Sequence, residues 1–207
     1  MAVITDIPIS AARTPTDAAV DAAVALHGFR HAIYGCLTSW ADALFELSDA
    51  VLCAPGPVVS VPTLSLEPTF RRSHGSLYKA LVRGSLDADR LRDTLVAHRP
   101  VDWPAIFAVD ASSWPRCEAE TSPERGFYYH PSRHSNGQPI VAGWSYQWIT
   151  QLSWSADSWT APLDARRIPP TADTTDTTAA QVRDLVARLA AADDRAGPVP
   201  MFVFDAG

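Results

Sequence analysis

The sequence predicts an α+β protein in two parts, a helical region over residues 1–100 and a mixed-sheet region over 101–207. Three observations carry this reading. Through the first hundred residues, apolar side chains recur at helical spacing between proline and glycine stops. After Pro104 they gather into short, nearly continuous runs, two of which end in a repeated pattern, Asp110-Ala111-Ser112 and Asp205-Ala206-Gly207. Between those runs lies one amphipathic helix, a crossover that implies parallel pairing of the strands on either side.

The elements follow in order. Thr16 is placed to cap a first helix, with Val20, Val24, Phe29 and Ile33 as its apolar face. Gly35 interrupts it, and Leu37, Trp40, Leu44, Leu47 and Val51 continue in a second helix that Pro55, Gly56 and Pro57 stop. Val58 to Leu66 reads as extended. Beyond Arg71 and Arg72, two short helices are marked by Leu77 and Leu81, then by Leu86, Leu91 and Leu95, and Pro100 closes them. Ile106 to Ala111 reads as a strand buried on both faces. Residues 112–138 are rich in turn formers and carry no sustained periodicity. Ile140 to Tyr146 and Trp148 to Trp154 read as two strands joined by a tight connection, with a third over Trp159 to Ile168. A polar linker, Thr171 to Thr178, leads into a helix over Ala179 to Ala192 whose apolar face is Val182, Leu185, Val186 and Leu189. Met201 to Phe204 forms the last strand.

Composition sets the outer bounds. With 47% hydrophobic residues and a net charge of −6 over 207 residues, the chain has the makings of a packed core and is not intrinsically disordered. No apolar run approaches the ~20 residues that span a bilayer. The first residues lack the basic and apolar regions of a secretory signal, and three widely spaced cysteines suit a reduced, cytoplasmic setting. The acidic sum hides a pattern. Residues 68–99 carry Arg71, Arg72, Lys79, Arg83, Arg90, Arg92 and Arg99 against only Asp87, Asp89 and Asp93, a basic stretch within an otherwise acidic chain.

If Met201 to Phe204 lies beside Ile106 to Val109, Asp110 and Asp205 emerge at the same end of neighbouring strands. Two carboxylates that close repel unless a proton or a divalent cation sits between them, and oxygen-only ligation suits Mg²⁺ or Mn²⁺. The chemistry to expect is two-metal phosphoryl transfer. A lone aspartate after a strand also caps helices and starts turns. The repetition of the pattern on strands that the topology pairs is what favours a site.

The stretch FAVDASSWPRCEAETSPERGFYYHPSRHSNGQPIVAGWSYQWI and the closing VPMFVFDAG resemble the DDE-type transposases of bacterial insertion sequences. The preceding ADALFELSDAVLCAPGPVVSVPTLSLEPTFRRSHGSLYKALVRG resembles the N-terminal part of the same group. The resemblance runs from about Phe29 to Gly207 and is most specific over Val109 to Trp148. It implies a ribonuclease H-like catalytic domain over 101–207, in which three acidic residues bind two Mg²⁺ (or Mn²⁺) ions for DNA strand cleavage and strand transfer. Asp110 matches the first acid and Asp205 the second. Members of the group continue to a helix bearing a catalytic glutamate. The resemblance therefore implies a chain truncated after the second acid, of very low activity alone, or else a non-catalytic DNA-binding remnant. The implied partners are transposon ends and target DNA, with a homodimer or pairing to a full-length transposase, in the bacterial nucleoid.

Further residues suit DNA. Arg71, Arg72 and Arg83 offer phosphate contacts or form a solvated helix face. Arg125, His130, Arg133 and His134 lie in a polar loop that either meets the DNA backbone or is ordered by its tyrosines. Cys117, His130 and His134 have half of a zinc-finger spacing but lack the second cysteine. Six of the seven tryptophans fall between Trp103 and Trp159 and are expected mostly in the core, with Trp114, in the loop after Asp110, as a substrate contact.

Overall fold

The computed structural model describes residues 15–58, 60–129, 140–192 and 198–204. The chain divides into two compact units, Met1–Leu91 and Arg92–Gly207.

The first unit contains α1 (Pro15–Tyr34), β1 (Leu37–Ser39), α2 (Ala41–Cys53), α3 (Val61–Leu64), α4 (His74–Arg83) and β2 (Ser85–Leu86), and helix α5 (Ala88–Ala97) runs across the division. Its core is Leu47, Ala50, Leu64, Phe70 and Leu77, drawn from α2, α3, α4 and the turn between the last two. Arg30 of α1 grips Asp49 of α2 with two hydrogen bonds of 2.5 and 2.8 Å, and its guanidinium lies 4.8 Å from the Phe45 ring centroid.

Several expectations are corrected here. Val20 and Val24 do not share a face with Phe29 and Ile33. At 3.6 residues per turn the five-residue step from Val24 to Phe29 crosses to the far side of the helix. Accordingly Phe29 and Ile33 are half-buried, while Val20 and Val24 are 56% and 66% exposed. Thr16 lies inside α1 rather than capping it. Leu37 belongs to a two-stranded antiparallel ribbon, paired with Leu86, because Trp40 takes a left-handed conformation (φ 55°) that separates it from α2. The stretch read as extended holds the single turn α3, where the Ser60 hydroxyl accepts the Thr63 N–H and Pro62 stands in the first turn.

The second unit is a five-stranded mixed sheet with helices on one face. Its strands are β3 (Ile106–Pro115), β4 (Gly126–Tyr129), β5 (Ile140–Leu152), β6 (Thr160–Ile168) and β7 (Met201–Phe204), and α6 (Thr174–Ala192) is the crossover. The path runs β4-β5-β3-β7, with β6 also on β5. β3 and β7 are parallel, with Ile106 opposite Met201 and Val109 opposite Phe204. Every other pairing in the sheet is antiparallel.

The two strands expected over 140–154 are one unbroken strand of thirteen residues. Nothing at Gln147 favours a turn. That residue is buried and pairs with Ala111 on one side and Arg166 on the other. Gly143 is required within β5, since a Cβ there would collide with the Trp114 carbonyl oxygen. β3 alternates, with Phe107 and Val109 buried and Ala108 and Asp110 turned to the other face, so it is not buried on both sides. It also runs on through Ser112 to Pro115, and β4 forms within the supposed loop. Helix α6 takes in most of the expected linker, because the Asp173 carboxylate accepts the Asp176 N–H and caps it at Thr174. The tryptophans do not fill the core: Trp154 and Trp159 are exposed, and Trp144 and Trp148 are half-buried.

The core lies between the sheet and α5 and α6. Phe107, Val109, Ile149 and Leu163 of the sheet meet Val96, Leu185 and Leu189. A bulge in β6 makes this face possible. Ile149 pairs with Asp164 but Thr150 pairs with Pro162, so Leu163 is the extra residue and both it and Asp164 are buried. The buried Asp164 carboxylate accepts Arg92 Nε at 2.6 Å and Arg166 Nε at 2.7 Å. Arg166 goes on to Asp184, which also accepts Arg188 Nε at 3.1 Å, and Arg188 reaches Asp93. This chain of charges ties α5, β6 and α6 together.

Two outcomes follow. Removing a buried carboxylate that accepts from two arginines breaks both hydrogen bonds in the interior, so Asp164→Ala is expected to lower unfolding free energy by about 3 kcal/mol, read from the urea midpoint. An unchanged midpoint would show that the network does not support the fold. Burial pushes the Asp184 carboxyl up, but hydrogen bonds from Arg188 and Arg166 outweigh this and hold it below its ordinary range. A depressed carboxylate contributes stability that is present above the unfolded value of about 3.9 and is lost as pH falls through the folded one. Wild type should therefore lose its advantage over Asp184→Asn on acidification below about pH 4, and parallel pH profiles for the two would count against this.

Candidate functional site

Alternation along β3 sends Asp110 to the face opposite α5 and α6, together with Ala108, Ser112 and Trp114. The antiparallel register sets Asp110 across from Trp148, Ser112 across from Tyr146 and Trp114 across from Trp144. Arg167 of β6 joins this face opposite Tyr146. Asp110 is exposed, and its Oδ1 accepts the N–H of Ala111 at 2.8 Å. Among the described residues no basic side chain forms an ion pair with it. Around it the face is aromatic. Trp114 and Tyr146 meet edge to face with centroids 6.1 Å apart, and the Arg167 guanidinium lies 5.1 Å from the Trp144 ring centroid. Within this unit, α6 and the end of α5 pack on the opposite face.

The segment after β3 is held down rather than loose. Arg116 N–H bonds to Ala142 O, and Arg125 donates to the carbonyls of Arg116 and Cys117 at 2.9 and 2.8 Å. Arg167 donates to Pro123 O at 2.6 Å and stands 3.3 Å from Glu124, and Trp144 Nε1 also donates to Pro123 O. Glu124, at φ 55°, is thus committed to Arg167.

Of the expected site residues, Asp110 and Trp114 share one sheet face. Asp110 is mid-strand rather than at a strand end, and Trp114 is on the strand, about half exposed, rather than in a loop. Arg125 closes the segment that follows. Asp205, His130, Arg133 and His134 lie outside the described residues. Phe204, which immediately precedes Asp205 in the sequence, is the register partner of Val109, which immediately precedes Asp110. Arg71, Arg72 and Arg83 belong to the first unit. Arg72 donates to Asp42 at 2.9 Å, Arg71 N–H bonds to Glu46, and Arg83 is exposed in the last turn of α4. Tyr146, Trp148 and Arg167 were not foreseen beside Asp110. Their signal is the i, i+2, i+4 spacing of Trp144, Tyr146 and Trp148, legible once 140–152 is read as one strand.

Among the described residues no three histidine, cysteine, aspartate or glutamate side chains cluster closely enough to hold a metal. Nor is any described helix long and apolar enough to cross a membrane. As donor chemistry, the Asp110 carboxylate is hard, oxygen-only, open to solvent and, among the described residues, unopposed by a basic side chain, which suits Mg²⁺ or Mn²⁺.

A family model described as DDE superfamily endonuclease matches residues 32–207. No curated protein and no solved structure matches the chain.

A residue kept for chemistry rather than packing can be removed without harm to the fold. Asp110 makes one local hydrogen bond from an exposed position, so Asp110→Ala is expected to shift unfolding free energy by no more than about 0.5 kcal/mol. A loss several times larger in a denaturant titration would assign Asp110 a structural role instead.

Proposed function

The chain belongs to the DDE superfamily endonucleases, a family of transposase or nuclease type, and we propose that Asp110 and Asp205 are metal-binding carboxylates of a transposase that cleaves and joins DNA strands. One observation carries this reading: β3 and β7 are parallel, with Val109 and Phe204 in register, and each of these two residues is followed in the sequence by an aspartate. Parallel neighbours stand about 4.8 Å apart, a separation at which two ionised carboxylates repel unless a cation is shared. Bound divalent ions would supply activation of an attacking oxygen and stabilisation of a leaving one in phosphodiester exchange.

The chain's own residues have distinct tasks in this reading. Asp110 binds the ion, with the Ala111 N–H fixing the oxygen it holds. Asp205 supplies the second carboxylate. Trp114, Tyr146 and Trp148 give the DNA an aromatic surface beside Asp110, on which bases or sugars can rest. Arg71, Arg72 and Arg83 in the first unit, and Arg125, His130, Arg133 and His134 after β3, meet phosphates. The guanidinium groups of Arg71 and Arg72 would do so in exchange for their ion pairs with Glu46 and Asp42, so their contribution should be strongly salt-dependent.

Calorimetric titration with Mg²⁺ and Mn²⁺ tests the site without requiring turnover. Asp110→Asn and Asp205→Asn are each expected to weaken Mn²⁺ binding by at least about tenfold, with the far-ultraviolet circular dichroism spectrum unchanged. Equal affinity in wild type and both variants would remove these two residues from any metal site.

A further inference from the structure

The register that sets Asp110 opposite Trp148 also brings Arg167 onto the same face, opposite Tyr146 and one strand further on. Among the described strand residues it is the basic side chain of that face. Two strand spacings and two residue steps put the Cα atoms of Asp110 and Arg167 about 12 Å apart. The guanidinium leans further out, over Trp144, at 5.1 Å from the ring centroid. Stacking on an indole fixes the plane of the fork and leaves its edge for an acceptor.

That edge is weakly held. Nη2 donates to the Pro123 carbonyl at 2.6 Å, and Nη1 stands 3.3 Å from the Glu124 carboxylate. Nε is shielded from solvent and has no acceptor among the described residues. Glu124 is thus the anion that faces the guanidinium, and its side chain is 56% exposed, a setting in which an ion pair contributes little. Its backbone is left-handed, at φ 55°, a conformation that costs a glutamate more than a glycine. A turn alone has no use for a carboxylate there. The side chain stands where a phosphate, a more highly charged oxyanion that suits the arginine fork, would bind more strongly.

We propose that Arg167 is a substrate-binding residue of the Asp110 face, taking a DNA phosphate about four nucleotides along the strand from the one at Asp110, and that Glu124 occupies it until DNA arrives. The inference rests on the reading that DNA lies along this face. Binding exchanges one ion pair for another: Nη1 leaves Glu124 for a phosphate oxygen, Nη2 keeps the Pro123 carbonyl, and Glu124 turns to solvent.

Fluorescence anisotropy of a short labelled DNA duplex, titrated with the full chain over a series of NaCl concentrations, tests the exchange. Arg167→Ala is expected to weaken binding by about tenfold and to flatten the slope of log affinity against log salt by about 0.9, the value for one phosphate. Arg167→Lys should keep the slope and lose part of the affinity, since it retains the charge without the fork. Glu124→Gln should tighten binding by about threefold, a gain that misfolding cannot produce, and should add nothing in the Arg167→Ala background. Glu120→Gln, an exposed acid on the same segment, controls for net charge and should change little. An equal gain from Glu120→Gln, a Glu124→Gln gain that persists without Arg167, or no gain at all would overturn the proposal. Unaltered duplex binding in Arg167→Ala, with Mn²⁺ binding still dependent on Asp110, would remove Arg167 alone. No duplex binding by wild type would remove the DNA reading of the face with it.

Discussion

The hydrogen bonding of β5 on both of its edges is the constraint on which the second unit depends. Residues 145–151 are paired at once with β3 and β6, and the start of the strand pairs with β4. A residue in that position can neither turn nor slip, because a one-residue shift would exchange its two faces. The face toward the helices carries Ile149 and the buried glutamines, and the other carries Trp144, Tyr146 and Trp148. Gln151 extends the constraint backward, its Nε2 reaching the carbonyls of Pro100 and Pro104 and so setting the entry into β3. The position of Asp110 opposite Trp148 follows from this register and not from any contact of its own.

The two faces are built by different physics. Toward α5 and α6, hydrocarbon packing around Phe107, Ile149 and Leu163 is joined by a line of alternating charges from Arg92 to Asp93. Such a network adds geometric definition more than net stability, since each buried charge must be desolvated before it is paired. Away from the helices the sheet shows large aromatic rings around an aspartate that no basic side chain opposes among the described residues. An apolar surface with an open carboxylate at its centre has the character of a binding face. It suits the DNA-acting family to which the chain belongs.

Local signals carried much of this architecture. Proline and glycine stops ended α2, and the crossover rule paired β3 with β7. What escaped is non-local or depends on phase. The ribbon of β1 and β2 joins residues 47 apart at the Thr38 and Ser85 hydroxyls, and Arg92 finds Asp164 across 72 residues. No window along the chain contains both members of either pair. The continuity of β5 was hidden because tryptophans alternating with polar residues resemble two half-buried strands, while the partner strands on both edges keep it whole. The bulge at Leu163 adds one residue to one strand, a shift that composition does not record.

The central claim is that one divalent-ion site spans β3 and the residue after β7. Paramagnetic broadening by Mn²⁺ in the amide spectrum of the protein tests it most directly, because the effect depends on distance from the ion and requires no reaction. The account predicts that substoichiometric Mn²⁺ first broadens the amides of Asp110, Ala111, Phe204 and Asp205 and the indole of Trp148, and that Asp110→Asn abolishes this pattern. Broadening that begins elsewhere, or that is the same in the variant, would contradict it.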